Sequence, residues 1–255
     1  MDFALILVIA TGVTGVIWAL DLLILRRRRA EDESRGEPII VEYARAFFPI
    51  LLFVLVLRSF LYEPFRIPSG SMTPTLLEGD FIFVNKFVYG LRLPVVNTKL
   101  VEIGEPERGD VMVFKLPSDA GTNYIKRVVG LPGDVVEYRN KQLRINGEPV
   151  PLKLLGDYEG PGQSGAGIAI ERLGGAEHEL LMIHGRQSPE GTFVVPQGHF
   201  FMMGDNRDNS RDSRFQGVGF IPEDRLVGKA VRIWMNWRLP SEGGPLWRRI
   251  GSKIE

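Results

Sequence analysis

Cysteine is absent from the 255 residues, which excludes disulfides, thiolate nucleophiles and cysteine metal sites. Histidine is scarce: His178, His184 and His199 are the whole supply. None of them sits in a recognisable triad motif, and G-x-S-x-G occurs nowhere, so they read as surface or structural residues. Net charge is missing too. The 31 basic and 31 acidic residues cancel, so there is no basic excess of the kind that marks a nucleic-acid binder, and no nucleic-acid partner is expected.

What the chain does have is apolar length near its beginning. Phe3 to Leu25 is almost wholly apolar, with Asp21 near its end. As a helix it would run about 35 Å, enough to cross about 30 Å of hydrocarbon. A cleavable signal peptide is disfavoured by Asp2, by the lack of Lys or Arg before the run, and by its length. A second run, Ala46 to Tyr62, would give roughly 26 Å of helix. Pro49 falls in its first turn, and Arg58 lies close enough to one end to snorkel. Between the runs stand Arg26, Arg27, Arg28, Arg29, Arg35 and Arg45. The positive-inside rule puts this loop, 26–45, in the cytoplasm. The expectation is a multi-pass membrane anchor, 1–62, with everything after it outside the cytoplasm, on the periplasmic side of a plasma (inner) membrane.

From Asp80 onward the pattern changes. "FIFVNKFVYG", "GDVMVFKLP", "YIKRVVGLPGDVVEY", "QLRINGEPV", "GTFVVPQGHFFMMGD" and "LVGKAVRIWMNW" are rich in branched and aromatic residues and are punctuated by Gly and Pro. No long 3.6-residue period appears, so the body reads as mainly β, an antiparallel sheet. The stretch 141–196 is richer in Gly and Pro than its flanks and reads as a smaller inserted subdomain. The core is then 63–140 with 197–255.

Three polar segments could carry chemistry. The first is "IPSGSMTPTL". It fits either a Ser/Gly/Pro linker leaving a membrane helix or a turn presenting a nucleophile. Gly70 permits a tight backbone before Ser71, and Pro68 and Pro74 stiffen both sides. A serine needs a base. Lys126, in the apolar run "NYIKRVVGLPGD", is one choice, since strand alternation sets it with Tyr124 and Val128 and sends Arg127 to the other face. An exposed lysine is neutral in only about one molecule in 2,500 at pH 7. A base therefore needs a downward shift of about three units, which burial can supply. An ordinary edge-strand lysine facing water is the alternative. The third segment, "GDNRDNSRDSR", is either a solvated loop or a set of hydrogen-bonding groups that orients a catalytic side chain. It is not an EF-hand, because Ser213 and Gly219 fall where Gly and Glu are required.

Taken in order, "PSGSMTPTL", "GDVMVFKLP", "YIKRVVGLPGD" and "GDNRDNSRDSR" resemble the boxes of bacterial type I signal peptidase, the leader peptidases. The resemblance runs from the first span to about Trp237 and is weak only in the insert. It implies a membrane-bound serine endopeptidase that removes N-terminal signal peptides from exported preproteins, cutting after small residues of the Ala-x-Ala type. Carried over position by position, it implies Ser71 as nucleophile and Lys126 as general base. The Ser71 N–H and the Ser69 hydroxyl would form the oxyanion hole, with Tyr124, Ser210, Asp212 and Arg214 in support. Ser210 would hydrogen-bond the lysine amine. Phe65, Ile67, Leu76, Ile82, Val113 and Ile125 would line the substrate pockets. No metal and no cofactor is implied. The partners implied are preprotein signal peptides and membrane lipid, with the secretion translocon a further candidate.

The chain departs from better-known members in lacking a cysteine pair in the insert and in the insert's short length. Trp234, Trp237 and Trp247 are either interfacial anchors or core residues. The rivals fare worse. S-x-x-K enzymes are excluded by Pro74, three residues after Ser71, and self-cleaving repressor-type peptidases would not carry two spans. A non-catalytic membrane-tethered binding module of the same fold is the alternative from another class.

Overall fold

The structure is a computed structural model and describes residues 3–25, 38–57, 61–92, 99–238 and 243–255. The chain divides into two compact units, Met1–Tyr62 with Gly90–Glu102, and Glu63–Tyr89 with Ile103–Glu255.

The first unit holds two apolar helices. Helix α1, Phe3–Leu20, continues into a π-helical turn, Asp21–Leu25. Helix α2 covers Ile39–Val56, about 27 Å of rise. Gly15 faces the ring of Phe48: a Cβ there would fall 2.6 Å from Phe48 Cε2. The missing side chain is what lets the two helices approach. Away from that contact, Ile6, Ile9, Val13 and Val16 on α1 and Ile50 and Phe53 on α2 are exposed. Helices apolar on every face are stable inside a larger core or in lipid, and no such core covers these among the described residues. Both are long and apolar enough to cross a membrane.

The second helix lies earlier than the apolar run suggested, at 39–56 and not 46–62. Glu42 and Arg45 look like loop residues, yet Val41 and Ala44, each directly before one of them, are buried. The first turns are amphipathic helix, Pro49 falls mid-helix, and Arg45 belongs to the helix. At the other end Pro64 drives the preceding residue out of helical conformation. The chain is already extended in β1, Tyr62–Arg66. The unit also carries a small antiparallel ladder, β3 (Leu91–Arg92) with β4 (Lys99–Val101).

The second unit is built on a seven-stranded sheet. Its strands are β1, β2 (Asp80–Asn85), β5 (Val111–Leu116), β6 (Asp119–Gly130), β14 (His199–Met203), β15 (Ile221–Pro222) and β16 (Leu226–Asn236), in the order β1-β2-β16-β5-β6-β14-β15. Alternation sorts its side chains onto two faces. Ile82, Val113, Ile125 and Ile233 fall in one apolar cluster, and Met112, Phe114, Val128 and Met202 in another. A four-stranded sheet combines β7 (Val135–Arg139), β8 (Gln142–Ile145), β9 (Glu148–Pro149) and β13 (Gly191–Val194). A three-stranded sheet combines β10 (Leu152–Asp157), β11 (Gly167–Leu173) and β12 (Ala176–Met182). Most of the stretch 141–196 is therefore regular strand. The end of β12 is pinned to the polar segment beyond β14: Leu181 N–H donates to the Asp205 carbonyl at 2.8 Å, and Arg207 N–H donates to the Leu181 carbonyl at 2.9 Å.

Candidate active site

The loop between β1 and β2 makes a tight turn at its start. Ser69 is extended (φ −146°) and leads into a single 3-10 turn, Gly70–Met72. Ile67 N–H donates to the Asp80 carbonyl at 2.8 Å and Gly79 N–H to the Ile67 carbonyl at 3.0 Å, so the loop closes on itself. Ser71 is buried, while Ser69 stays exposed with its Oγ 3.5 Å from Ser71 Oγ.

Lys126 reaches this turn from the middle of β6. Its Nζ lies 2.7 Å from Ser71 Oγ and donates to the Ile125 carbonyl at 2.8 Å. The side chain is only 3% exposed. Burial pushes the amine down from 10.5 to about 8, against the opposing pull of the Asp212 and Asp205 carboxylates. The ring of Tyr124 lies beside it, centroid 5.4 Å from Nζ. A lysine and a serine 55 residues apart thus share one short contact in a dry setting. Such a pair can pass a proton from hydroxyl to amine.

The polar segment after β14 braces the pair from behind. Asp212 Oδ2 accepts from Gly204 N–H at 3.1 Å and from Arg214 Nη2 at 2.8 Å, and Oδ1 accepts from Arg214 Nε at 2.8 Å. The Arg214 guanidinium also covers the Tyr138 ring at 4.9 Å. The bond expected from Ser210 to the lysine amine is not formed. Ser210 Oγ is buried without a hydrogen-bond partner, packed against Gly204. Lys126 Nζ bonds Ser71 and Ile125 instead.

Phe65, Ile67, Leu76, Ile82, Val113 and Ile125 gather in one place. The last five belong to a single buried cluster, and Phe65 packs on it half-buried. Leu76 and Ile82 are wholly buried there. Among the tryptophans, Trp234 (36% exposed) lies against Phe83, with Trp237 and Trp247 more open still.

The family described as signal peptidase, peptidase S26, matches residues 40–235. The chain belongs to this family. It is 50% identical to a signal peptidase I of Pseudomonas fluorescens and 49% identical to one of Pseudomonas aeruginosa, each alignment covering 98% of both proteins. A signal peptidase I of Haemophilus influenzae is 32% identical over 92% of this chain and 86% of its own. As an S26 signal peptidase the protein is a serine endopeptidase, and its two apolar helices make it a membrane-anchored one.

Four further residues of this peptidase hold the serine turn and the loop that follows it, and the sequence reading did not single them out. Gly204 has no room for a side chain: a Cβ would fall 2.5 Å from the Ser71 carbonyl oxygen and 2.2 Å from Ser210 Oγ. Asn206 N–H donates to the Ser71 carbonyl at 3.1 Å, and its Nδ2 donates to the Gly70 carbonyl at 3.1 Å. Asp205 holds Arg127 through two bonds of 2.8 and 2.7 Å and accepts from Thr75 Oγ1 at 2.5 Å. Arg249 Nη2 donates to the Thr75 carbonyl at 2.8 Å and to Asp80 Oδ2 at 2.6 Å. The glycine at 204 was the one detectable signal, as the only residue in its segment without a side chain; the others act on partners distant in sequence. Gly204→Ala is expected to lower turnover of a preprotein about 100-fold, because the added Cβ would displace Ser71, and a misplacement of about 1 Å at an active site costs that much. Turnover within threefold of the parent would show that the turn has slack.

Proposed function

We propose that Ser71 and Lys126 are the nucleophile and the general base with which this peptidase cuts signal peptides from exported preproteins after small residues. The observation that carries the reading is the 2.7 Å contact between a buried, down-shifted amine and a serine hydroxyl in a tight turn. Ser71 Oγ attacks the scissile carbonyl as its proton passes to Lys126 Nζ. The oxyanion is received by the Ser71 N–H and the Ser69 hydroxyl. The ammonium then gives its proton to the leaving amine, which departs and leaves an ester on Ser71. Lys126 next takes a proton from water, whose oxygen attacks the ester, and Ser71 recovers a proton as the signal peptide leaves.

Ser210 is proposed to turn towards the amine when substrate binds. Its hydroxyl is free of partners, and a neutral lysine bonded to Ser71 and Ile125 keeps one N–H unspent. Asp212 and Arg214 would hold that segment in place, and Tyr124 would shield the amine. Phe65, Ile67, Leu76, Ile82, Val113 and Ile125 would form pockets that admit a methyl and exclude larger side chains by overlap. A signal peptide would lie extended beside Ser69 and β6. We place the arginine-rich loop in the cytoplasm and the sheet unit on the outer face of the plasma membrane. There the exposed tryptophans would meet lipid and the translocon would deliver substrate. In this reading 141–196 is an insert in a core of 63–140 and 197–255.

The test is a pH profile for an Ala-x-Ala preprotein cleaved by the full chain in detergent. The working base is the neutral amine, so kcat/KM should level off above pH about 8 and drop tenfold per unit below it. A profile flat from neutral pH down to about pH 5 would sink a lysine base.

A further inference from the structure

The two bonds that Asn206 donates fall on the two peptide units that flank Ser71, and they do different things. Its backbone N–H takes the Ser71 carbonyl, whereas its side-chain Nδ2 takes the carbonyl of Gly70, both at 3.1 Å. The Gly70 carbonyl and the Ser71 N–H belong to one planar trans peptide unit, in which C=O and N–H point in opposite directions. Whatever holds that carbonyl on one side fixes where the N–H points on the other. Gly70 has no side chain of its own to help fix this unit. The plane is held by two hydrogen bonds to that carbonyl, one from within the 3-10 turn, Thr73 N–H at 3.2 Å, and one from outside it, Asn206 Nδ2.

We infer that Asn206 is a positioning residue of the oxyanion hole: its side-chain amide pins the Gly70 carbonyl and so aims the Ser71 N–H at the developing negative charge. This rests on the reading of Ser71 as the nucleophile and oxyanion donor. Three observations fit such a role. Asn206 is 1% exposed, so its amide does not exchange this bond for water. Its own segment is held from the far side, where Leu181 bonds both neighbours, accepting from Arg207 N–H and donating to the Asp205 carbonyl. Its Oδ1 has no partner, so the amide is spent on the turn alone. Accepting a bond at the carbonyl also polarises the peptide and strengthens its N–H as a donor.

The experiment uses the full chain in detergent with an Ala-x-Ala preprotein and two variants, Asn206→Ala and Asn206→Asp. The aspartate keeps the shape, and its carboxylate cannot donate to Gly70. Both variants retain the backbone bond to the Ser71 carbonyl. The expected result is a fall in kcat of about 100-fold, the size of losing one oxyanion donor, with KM within twofold and the acid limb of the pH profile unmoved. A second measurement separates aim from folding. A peptide aldehyde of the signal sequence is attacked at its carbonyl carbon by Ser71 Oγ, whose proton passes to Lys126, and places an oxyanion in the hole. The matching peptide alcohol, which has no carbonyl to attack and no charged oxygen, does not. The variants should lose aldehyde affinity about 100-fold and alcohol affinity less than twofold. Equal losses for both ligands, or kcat within threefold of the parent, would overturn the inference. Ser71→Ala is run alongside: if it still cleaves, the nucleophile reading itself fails, and with it this one.

Discussion

Lys126→Met is expected to be inactive and no less stable than the parent. The methionine keeps the length and loses the base, and enzymes stripped of a nucleophile or its base lose about 10⁴-fold or more in kcat. Ser71→Ala should fall to the same floor, and the double variant no further, because the two act as one unit. Stability moves the other way. Burial holds the Lys126 amine near 8, well below its ordinary 10.5, which costs the folded state about 3 kcal/mol at neutral pH. The variant escapes that cost and forgoes contacts to Ser71 and Ile125 worth about 1 kcal/mol each. The sign has a pH signature. A depressed lysine weakens the fold fully below its folded value and ceases to do so above the unfolded one. The advantage of methionine should therefore shrink as pH rises from about 8 through 10.5. Turnover and thermal unfolding of the same preparation decide the matter. Cleavage within tenfold of the parent would end the case for this lysine.

Asp205→Ala carries the largest expected loss of stability. Asp205 and Arg127 form a two-bond ion pair with both side chains 1% exposed. Arg127 keeps only the Gly109 carbonyl, at 2.6 Å, and a long contact to Thr75. Removing the carboxylate leaves a buried cation, and such losses run about 3–5 kcal/mol. Asp205 also accepts from Thr75 on the loop that carries Ser71, so activity should fall with stability if Ser71 is the nucleophile proposed above. The control is Arg127→Met combined with Asp205→Ala, which removes both charges and should recover most of the loss. Urea midpoints of the three proteins give the comparison. A single variant within 1 kcal/mol of the parent would mean that Arg127 finds water or another acceptor.

These two residues also show where reading the sequence stops. Lys126 was legible because its neighbours are apolar and its box is distinctive, and the strands around it were legible from their branched and aromatic content. Helix α2 was placed late because Glu42 and Arg45 hide a helical face whose other members, Val41 and Ala44, are small and apolar. Strands β10 to β12 were hard to see. "LKLLGD" and "AEHELLM" carry charges and leucines in place of branched residues, and their order comes from pairing with β11. Arg127 and Asp205 are 78 residues apart, and nothing local to either announces the other. Asn206 looks like one more polar residue in a polar segment; the partner of its side chain lies 136 residues earlier. Buried polar pairings across such distances are decided by the fold, and the spacing along the chain does not encode them.

The grips on the nucleophile loop also set a timetable. During synthesis Ser71 and Lys126 are made first, within the first half of the chain, and both could pair as soon as β6 forms. The Asn206 bond to Gly70 must wait for residue 206, and the Arg249 bonds to Asp80 and Thr75 for residue 249. Until those residues have been made, the serine turn lacks the bonds that they supply. The turn is thus gripped in stages, and the bonds that steady it come from residues made at least 136 positions after their partners.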